Sequence, residues 1–144
     1  MWFDPIMAGL LRSPLHPLLS NNTMLITVRG RKSGRAVTTP VNYIRHGDEL
    51  LTVSLRSRRW WRNLRGRQTP VELLLAGAPR PATARVEEAV PDVGRGLAEV
   101  AVASPMMARG LHITLDPAGQ PLPADLARTA ASRVIVRMRL SAPA

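Results

Sequence analysis

The sequence predicts a mainly β protein with flanking helices (α+β), in which a small antiparallel sheet closes into a barrel. Short segments with a period-two alternation of apolar and polar residues fill positions 23–86. A helical pattern covers much of residues 92–132, and a last alternating segment follows at 134–140. A chain of 144 residues suits one hydrophobic core, so we expect a single domain. Closing the sheet into a barrel would remove its exposed edges.

The alternating segments between residues 23 and 86 predict a meander, in which each strand pairs with the next. Turns at residues 30–34, 46–48 and 77–79 separate the segments. Pro40 lies inside the second strand and cannot donate a ladder hydrogen bond, so it indicates a bulge or an unpaired edge. The five predicted strands are residues 23–28, 36–45, 49–55, 70–75 and 80–86.

A short helix is predicted between the third and fourth strands. Ser57 can cap it and Gly66 can end it. At 100° per residue Trp60, Trp61 and Leu64 form one apolar stripe, and Asn63 lies on the border of that stripe. We expect at least one of the two tryptophans to pack into the core.

The second half predicts helices at residues 92–103 and 123–132, with an irregular segment at 104–122 between them. Residues 134–140 form the closing strand. Its apolar residues Val134, Val136, Met138 and Leu140 are expected to point inward, and Ile135, Arg137 and Arg139 to point outward.

The first 20 residues predict a helical extension, which begins at the Asp4–Pro5 capping pair. They lack the basic start and small-residue cleavage site of a signal peptide. A cover over the pocket or a dimer contact is favoured over membrane contact, because Arg12 is the only base there. The chain has no cysteine, which excludes disulfides and thiolate sites and fits a cytoplasmic location.

The net charge of +10 is concentrated in one part of the chain. Residues 5–71 contain twelve Lys/Arg and two acids, whereas the rest of the chain contains eight of each sign. Such an asymmetry indicates an anionic partner, which could be a nucleic acid, an anionic lipid or a phosphorylated or polycarboxylate small molecule.

Templates for side-chain catalysis and for metal sites do not match. His16, His46 and His112 are far apart, and none has a metal-ligand neighbour at helical spacing. Glu87 and Glu88 are adjacent on a strand and point to opposite faces. We therefore assign no catalytic residue and no metal ligand, and any chemistry would come from a cofactor.

The segment GRKSG, residues 30–34, lies between two predicted strands. It is not a Walker A motif, because the first glycine is missing and a strand follows where a helix should. A glycine turn can nevertheless present successive backbone N–H groups to an anion, and Arg31, Lys32 and Ser33 would add charge and a hydroxyl. The alternative is a solvated hairpin tip.

The segment RSRRWWRNLRGR, residues 56–67, adds six arginines and no acid. Charge interleaved with aromatic rings is typical of nucleic-acid binding, so that function stays open as the least favoured alternative.

Taken in order, TMLITVRGRKSGRAVTTPVNYIRHGDELLTVSL, WWRNLRG and PVELLLAG resemble the deazaflavin-dependent nitroreductase family of split-barrel flavin and deazaflavin oxidoreductases. The resemblance covers residues 23–76. It implies a split β-barrel similar to flavin-mononucleotide-binding proteins. It also implies coenzyme F-420, whose tail carries a phosphate and a polyglutamate chain, with flavin mononucleotide (FMN) as the second choice.

The resemblance also implies cofactor contacts on four segments. The turn would hold the tail phosphate, the following strand would run beside the cofactor, and the end of the third strand and the tryptophan segment would add polar contacts. The implied residues are Arg31, Lys32, Ser33, Gly34, Thr39, Pro40, Val41, Asn42, Ser54, Arg56, Trp61 and Asn63. From charge alone, Arg59, Arg62 and Arg65 would suit the glutamates.

The activity implied is hydride transfer from reduced F-420 to a small conjugated acceptor, such as a quinone or nitro compound. Where known members place pocket-lining tyrosines, this chain has Met106, Met107, Leu111, His112 and Ile113. A non-catalytic binder of a lipid or another anionic ligand on the same fold is therefore the second hypothesis. Split barrels of this kind often dimerise, so a homodimer is also expected.

Overall fold

A computed structural model describes residues 22–141 of the chain. It contains seven strands: β1 (Thr23–Arg29), β2 (Ala36–Asn42), β3 (Ile44–His46), β4 (Glu49–Leu55), β5 (Thr69–Leu75), β6 (Ala78–Glu87) and β7 (Arg133–Leu140). The helices are α1 (Val90–Ala103), α2 (Pro105–Gly110) and α3 (Pro123–Ala130), and a 3₁₀ helix (Trp60–Leu64) that we call the tryptophan helix. The predicted N-terminal helix lies outside the described residues. No helix within residues 22–141 is long and apolar enough to cross a bilayer.

The strands form one antiparallel sheet in the order β2-β1-β5-β6-β7-β4-β3. The predicted mainly antiparallel fold is confirmed, but the predicted meander is wrong, because β5 pairs with β1 and not with β4. The predicted strand 36–45 is interrupted at Tyr43, where the backbone N–H donates to the carbonyl of Asn22 at 2.9 Å. Pro40 lies on β2, which pairs only with β1 among the described strands, so the predicted edge position is confirmed.

Closure of the barrel follows from this order. The two end strands of the sheet, β2 and β3, are consecutive in the chain and are joined through Tyr43. The sheet must therefore curl until its ends meet. Beside this junction β2 and β4 do not pair as strands, and the Thr52 hydroxyl donates to the Asn42 carbonyl across the gap.

Apolar side chains fill two separate cores. Inside the barrel, residues such as Met24, Leu73 and Met138 pack against both tryptophans. On the outer face of β3, β4 and β7, the helices pack against residues such as Leu51 and Ile135. The predicted outward position of Ile135 is therefore wrong, because α1 covers that face of β7 and buries the side chain completely.

Arg137 lies on the same covered face and is also buried, contrary to the prediction. Its guanidinium donates to Glu87 at 2.6 Å, to Glu99 at 2.7 Å and to Glu49 at 3.2 Å. Three carboxylates can compensate the burial of one cation, because charge-assisted hydrogen bonds replace its hydration.

Two local helix predictions need correction. Arg59 and not Ser57 is the residue that precedes the tryptophan helix, and it makes no side-chain cap. The segment predicted to be irregular, residues 104–122, contains α2. Ser104 caps that helix by accepting the Met107 N–H at 3.1 Å, and Pro105 is its first residue.

Gly96 provides a test of the packing between α1 and β7. A Cβ atom there would lie 2.6 Å from a side-chain carbon of Ile135, so Gly96→Ala should destabilise the fold by about 1–3 kcal/mol. Gly94 on the same helix has open space at its Cβ position, and Gly94→Ala should be neutral or stabilise by up to ~1 kcal/mol. Urea unfolding of both variants measures the difference, and equal effects would contradict this packing.

Candidate functional site

Two clefts lie along β2, one at each end of the strand. The first, which we call the basic cleft, has a volume of about 630 Å³. It lies between the turn after β1 and the tryptophan helix, and none of the described residues that line it is acidic. Its lining residues are Gly30, Arg31, Lys32, Ser33, Val37, Arg59, Arg62, Asn63 and Arg65.

The turn at one wall of the basic cleft leaves two backbone donors available. Gly30 N–H donates to the Arg35 carbonyl and Gly34 N–H to the Gly30 carbonyl, both at 2.8 Å. Gly34 has a φ of 72°, a left-handed conformation that glycine adopts without strain. The N–H groups of Lys32 and Ser33 donate to no residue within 22–141. Two such neighbouring groups form the anion-binding arrangement expected from the sequence.

Arg31 and Asn63 hold this turn against the tryptophan helix. The Asn63 side-chain oxygen accepts the Arg31 backbone N–H at 3.1 Å, and its amide nitrogen donates to the Trp60 carbonyl at 3.0 Å. The Arg31 guanidinium donates to the carbonyls of Asn63, at 3.1 Å, and of Arg65. We call these contacts the turn clamp. Both residues were expected from the resemblance to bind a cofactor, yet these contacts already engage them.

One of the five cations of the basic cleft is neutralised. Arg65 donates to both carboxylate oxygens of Glu88, at 2.9 and 2.8 Å. The hydrogen bond from Arg65 lowers the pKa of Glu88, and the charges of Arg56 and Arg62 act in the same direction. Within residues 22–141, Lys32, Arg59 and Arg62 form no ion pair with a carboxylate. The basic cleft therefore keeps a positive charge that an anion could neutralise.

The second cleft, which we call the strand cleft, has a volume of about 510 Å³ and mixed walls. The ends of β2 and β4 form one wall, and α2 with Leu111 forms another. Arg58, Trp60 and Arg133 complete it. The lining residues from these elements are Pro40, Val41, Asn42, Val53, Ser54, Leu55, Met106, Met107, Gly110 and Leu111.

Both tryptophans are buried in the barrel core, but of the two only Trp60 also lines the strand cleft. The Trp60 ring N–H donates to the Ser54 hydroxyl at 3.1 Å, and Trp60 lines the strand cleft. The Trp61 ring N–H donates to the Leu55 carbonyl at 3.1 Å, and its ring is buried in the barrel core. The guanidinium carbons of Arg62 and Arg65 lie 5.8 and 5.1 Å from the centre of that ring.

The two clefts are close enough for one extended molecule. Val37 lines the basic cleft and Pro40 the strand cleft, and three residues of strand span about 10 Å. Arg58 and Arg59 are also adjacent, with one in each cleft. A ligand with an anionic tail and a ring system could therefore contact both.

The structure places most of the residues implied by the resemblance in these two clefts. Arg31, Lys32, Ser33 and Asn63 line the basic cleft; Pro40, Val41, Asn42 and Ser54 line the strand cleft.

Four other implied residues do not line either cleft. Trp61 is in the core, and Gly34 shapes the turn. Thr39 is buried and accepts a hydrogen bond from Arg58 at 3.2 Å. Arg56 donates to the carbonyls of Glu88 and Ala130, at 2.5 and 3.3 Å, and so connects the end of β4 to the loop after β6 and to the end of α3.

The sequence reasoning missed the three residues of the strand cleft that are charged or aromatic, Arg58, Trp60 and Arg133, as well as its apolar residues Val53 and Leu55. Arg58 and Trp60 lie in the arginine and tryptophan segment, whose pattern did not show which side chains face the cleft. Arg133 begins β7 and lies opposite Leu55 in the strand register. That pairing joins distant parts of the chain, so no local pattern indicated it. Of the residues in the place of the family's tyrosines, Met106, Met107 and Leu111 line the strand cleft, whereas His112 and Ile113 line another surface depression.

Comparison with known proteins identifies a family. The family model for F420H(2)-dependent quinone reductase matches residues 14–99, which is more than half of the chain. No curated protein sequence matches the chain.

Solved structures share the fold. A putative pyridoxamine 5'-phosphate oxidase from Listeria innocua is similar with a TM-score of 0.55 at 11% identity, over 95% of this chain and 94% of that one. An F420-H2-dependent reductase gives a TM-score of 0.50 at 17% identity, over 85% of this chain and 96% of that one. A domain-swapped dimer gives 0.52 at 17% identity, over 85% and 82%. These similarities show a split barrel of the flavin-binding type.

The turn clamp makes a testable prediction. Asn63→Ala removes the acceptor of the Arg31 N–H and should destabilise the fold by about 1–3 kcal/mol. The Arg31 amide should also exchange with solvent faster. Hydrogen–deuterium exchange and urea unfolding measure both effects, with Gln120→Ala in an exposed turn as the control. Unchanged protection of the Arg31 amide in Asn63→Ala would show that the clamp does not hold the turn.

Proposed function

This chain belongs to the F420H(2)-dependent quinone reductase family, a family of oxidoreductases, and on this premise we propose that it binds reduced coenzyme F-420 along β2. The proposed reaction is hydride transfer to a small conjugated acceptor such as a quinone. The observation that carries the proposal is a cleft that five cations and no acid line within residues 22–141, beside a second cleft with mixed apolar and polar walls.

The residues present fit the chemistry of this cofactor. Its phosphate matches the unused N–H groups of Lys32 and Ser33, with the Lys32 ammonium nearby. Its glutamates match Arg59 and Arg62, which have no carboxylate partner within residues 22–141. A ring system matches the strand cleft, where Pro40, Val41 and Trp60 provide apolar surface.

When bound, the cofactor supplies the hydride, and the chain supplies position and environment. The turn clamp fixes the anion-binding turn before any ligand arrives, which lowers the entropy cost of binding. The side chains of α2 exclude water from one side of the strand cleft. Ser54 accepts from the Trp60 ring N–H and donates to the Leu55 carbonyl at 3.2 Å, so its oxygen could accept one further hydrogen bond there.

The proposal also covers the choice of cofactor, the oligomeric state and the location of the protein. F-420 is favoured over FMN because the basic cleft offers cations for more than one phosphate. A homodimer is proposed because a protein of the same fold is a domain-swapped dimer. A cytoplasmic location remains the expectation from the absence of cysteine.

Lys32 is the residue whose removal tests the proposal, because it is exposed and is not part of the turn clamp. Lys32→Ala should weaken F-420 binding by about ten- to a hundredfold, the effect of one charge-assisted contact of ~1.5–3 kcal/mol. Quenching of tryptophan fluorescence during titration with F-420, and separately with FMN, measures the affinities. Trp60 in the strand cleft should report on a bound ring.

Arg45→Ala is the matched control, because it removes one exposed cation of β3 that lines neither cleft. The affinity of Arg45→Ala for F-420 should equal that of the unaltered chain. Equal affinity in Lys32→Ala would reject the role of the Lys32 ammonium in binding the anionic tail of F-420. Binding of a fatty acid without F-420 would instead support the lipid-binding alternative, and salt-sensitive binding of DNA would support the nucleic-acid alternative.

A further inference from the structure

The strand cleft is lined by both apolar and cationic residues, and this combination restricts which acceptor it could bind. Met107 and Leu111 provide apolar surface on the helical side, and Leu55 adds apolar surface from β4. Two arginines, Arg58 and Arg133, also line the cleft, and none of its lining residues within 22–141 is acidic. A small molecule held there would meet apolar surface and positive charge together.

Neither of these arginines is neutralised by the fold. The Arg133 guanidinium donates to the Ser132 hydroxyl at 2.7 Å, and Arg58 donates to the Thr39 hydroxyl at 3.2 Å. Both partners are neutral. Within residues 22–141, neither arginine forms an ion pair with a carboxylate.

Some arginines elsewhere in the described chain are, by contrast, paired with carboxylates. Arg137 contacts three glutamates, Arg65 contacts Glu88 in a bidentate pair, and Arg128 contacts Asp125 at 2.8 Å. The strand cleft thus contains two oriented cations whose charge is left for a ligand. Arg133 is half-buried, which strengthens its attraction for an anion relative to a fully solvated side chain.

A guanidinium selects an anionic oxygen and does not act as an acid. Its pKa lies far above neutrality, so it cannot give up a proton to a substrate, while its planar fork matches a carboxylate or a delocalised oxyanion. The unpaired charge therefore favours a ligand that already carries a negative oxygen.

We propose that the strand cleft selects acceptors with an apolar ring and an acidic oxygen, such as hydroxyquinones taken up as anions, and that Arg133 and Arg58 determine this selectivity. This inference rests on the proposed function, because only a reductase would use the bound ligand as a hydride acceptor. In the reaction, the acceptor ring would receive a hydride, and with it two electrons, from the cofactor, whose remaining proton would be released to water; the acceptor oxygen would take up one proton from water. The two arginines position and stabilise the oxygen; they transfer nothing.

The test compares two probes that share one ring and differ in charge. We would measure the affinities of 2-naphthoate and 2-naphthamide for the protein saturated with oxidised F-420, by competition against a quinone acceptor and by fluorescence. The unaltered chain should bind the carboxylate at least tenfold more tightly than the amide. In Arg133→Ala, the affinity for 2-naphthoate should fall by about ten- to a hundredfold, and the affinity for 2-naphthamide should change less than threefold.

Matched variants keep the result interpretable. Arg139→Ala removes an exposed arginine of the same strand that does not line the strand cleft, and it should leave both affinities unchanged. Arg133→Lys keeps the charge and should give an intermediate preference. Arg58→Ala repeats the test on the second cation and does not depend on the folding of the Arg133 variants. F-420 affinity should stay within threefold in Arg139→Ala, and its value in the Arg133 and Arg58 variants shows whether either arginine also contacts the cofactor.

Three results would overturn the inference. The first is equal affinity of the unaltered chain for 2-naphthoate and 2-naphthamide. The second is an equal loss of affinity for both probes in Arg133→Ala, and the third is a loss of F-420 affinity in that variant as large as its loss of naphthoate affinity. The last would assign Arg133 to the cofactor. Arginine-dependent naphthoate binding in a chain that fails to bind F-420 would support the selectivity of the cleft and reject the proposed function. Dodecanoate as a third probe separates an acidic lipid from an acidic ring, because tighter binding of dodecanoate than of naphthoate would contradict a ring-shaped acceptor.

Discussion

The continuity of the chain through Tyr43 is the constraint on which the rest of the structure depends. β2 and β3 are the two ends of the sheet, and one residue separates them in the sequence. The sheet cannot stay open under this condition, because its ends are covalently joined. The curl brings β2 beside β4 without strand pairing, and that unpaired edge becomes the strand cleft.

Acidic and basic side chains are distributed unevenly over the barrel. Three carboxylates lie together on the outer face, where Glu49, Glu87 and Glu99 compensate the buried Arg137. Few remain to pair with the cations along β2. The excess positive charge therefore collects beside both clefts, and the turn clamp keeps the anion-binding turn in place without using Lys32. Fold and site are linked because the same ion pairs that stabilise the helical layer leave the cations of the site unpaired.

Local patterns were sufficient for elements whose partners are near in sequence. The alternation at Glu49–Leu55 predicted β4, and Pro40 correctly indicated an edge strand. Local sequence patterns gave wrong predictions where burial or strand pairing depends on an element distant in the sequence. Nothing near Arg137 showed that α1 would cover it, and the pairing of β1 with β5 has no local signal. For the site, the GRKSG turn was recognisable from composition, whereas Arg133 enters the strand cleft only through the register of β7 against β4.

The measurement that most directly tests whether one ligand spans both clefts compares F-420 with its deazaflavin chromophore lacking the phosphate and the glutamates. Calorimetric titration at low and at high salt gives both affinities. We expect F-420 to bind about a hundredfold more tightly at low salt, because one or two charge-assisted contacts supply that difference, and we expect the gap to narrow as salt screens the basic cleft. Equal affinities at both salt concentrations would show that the basic cleft takes no part in cofactor binding.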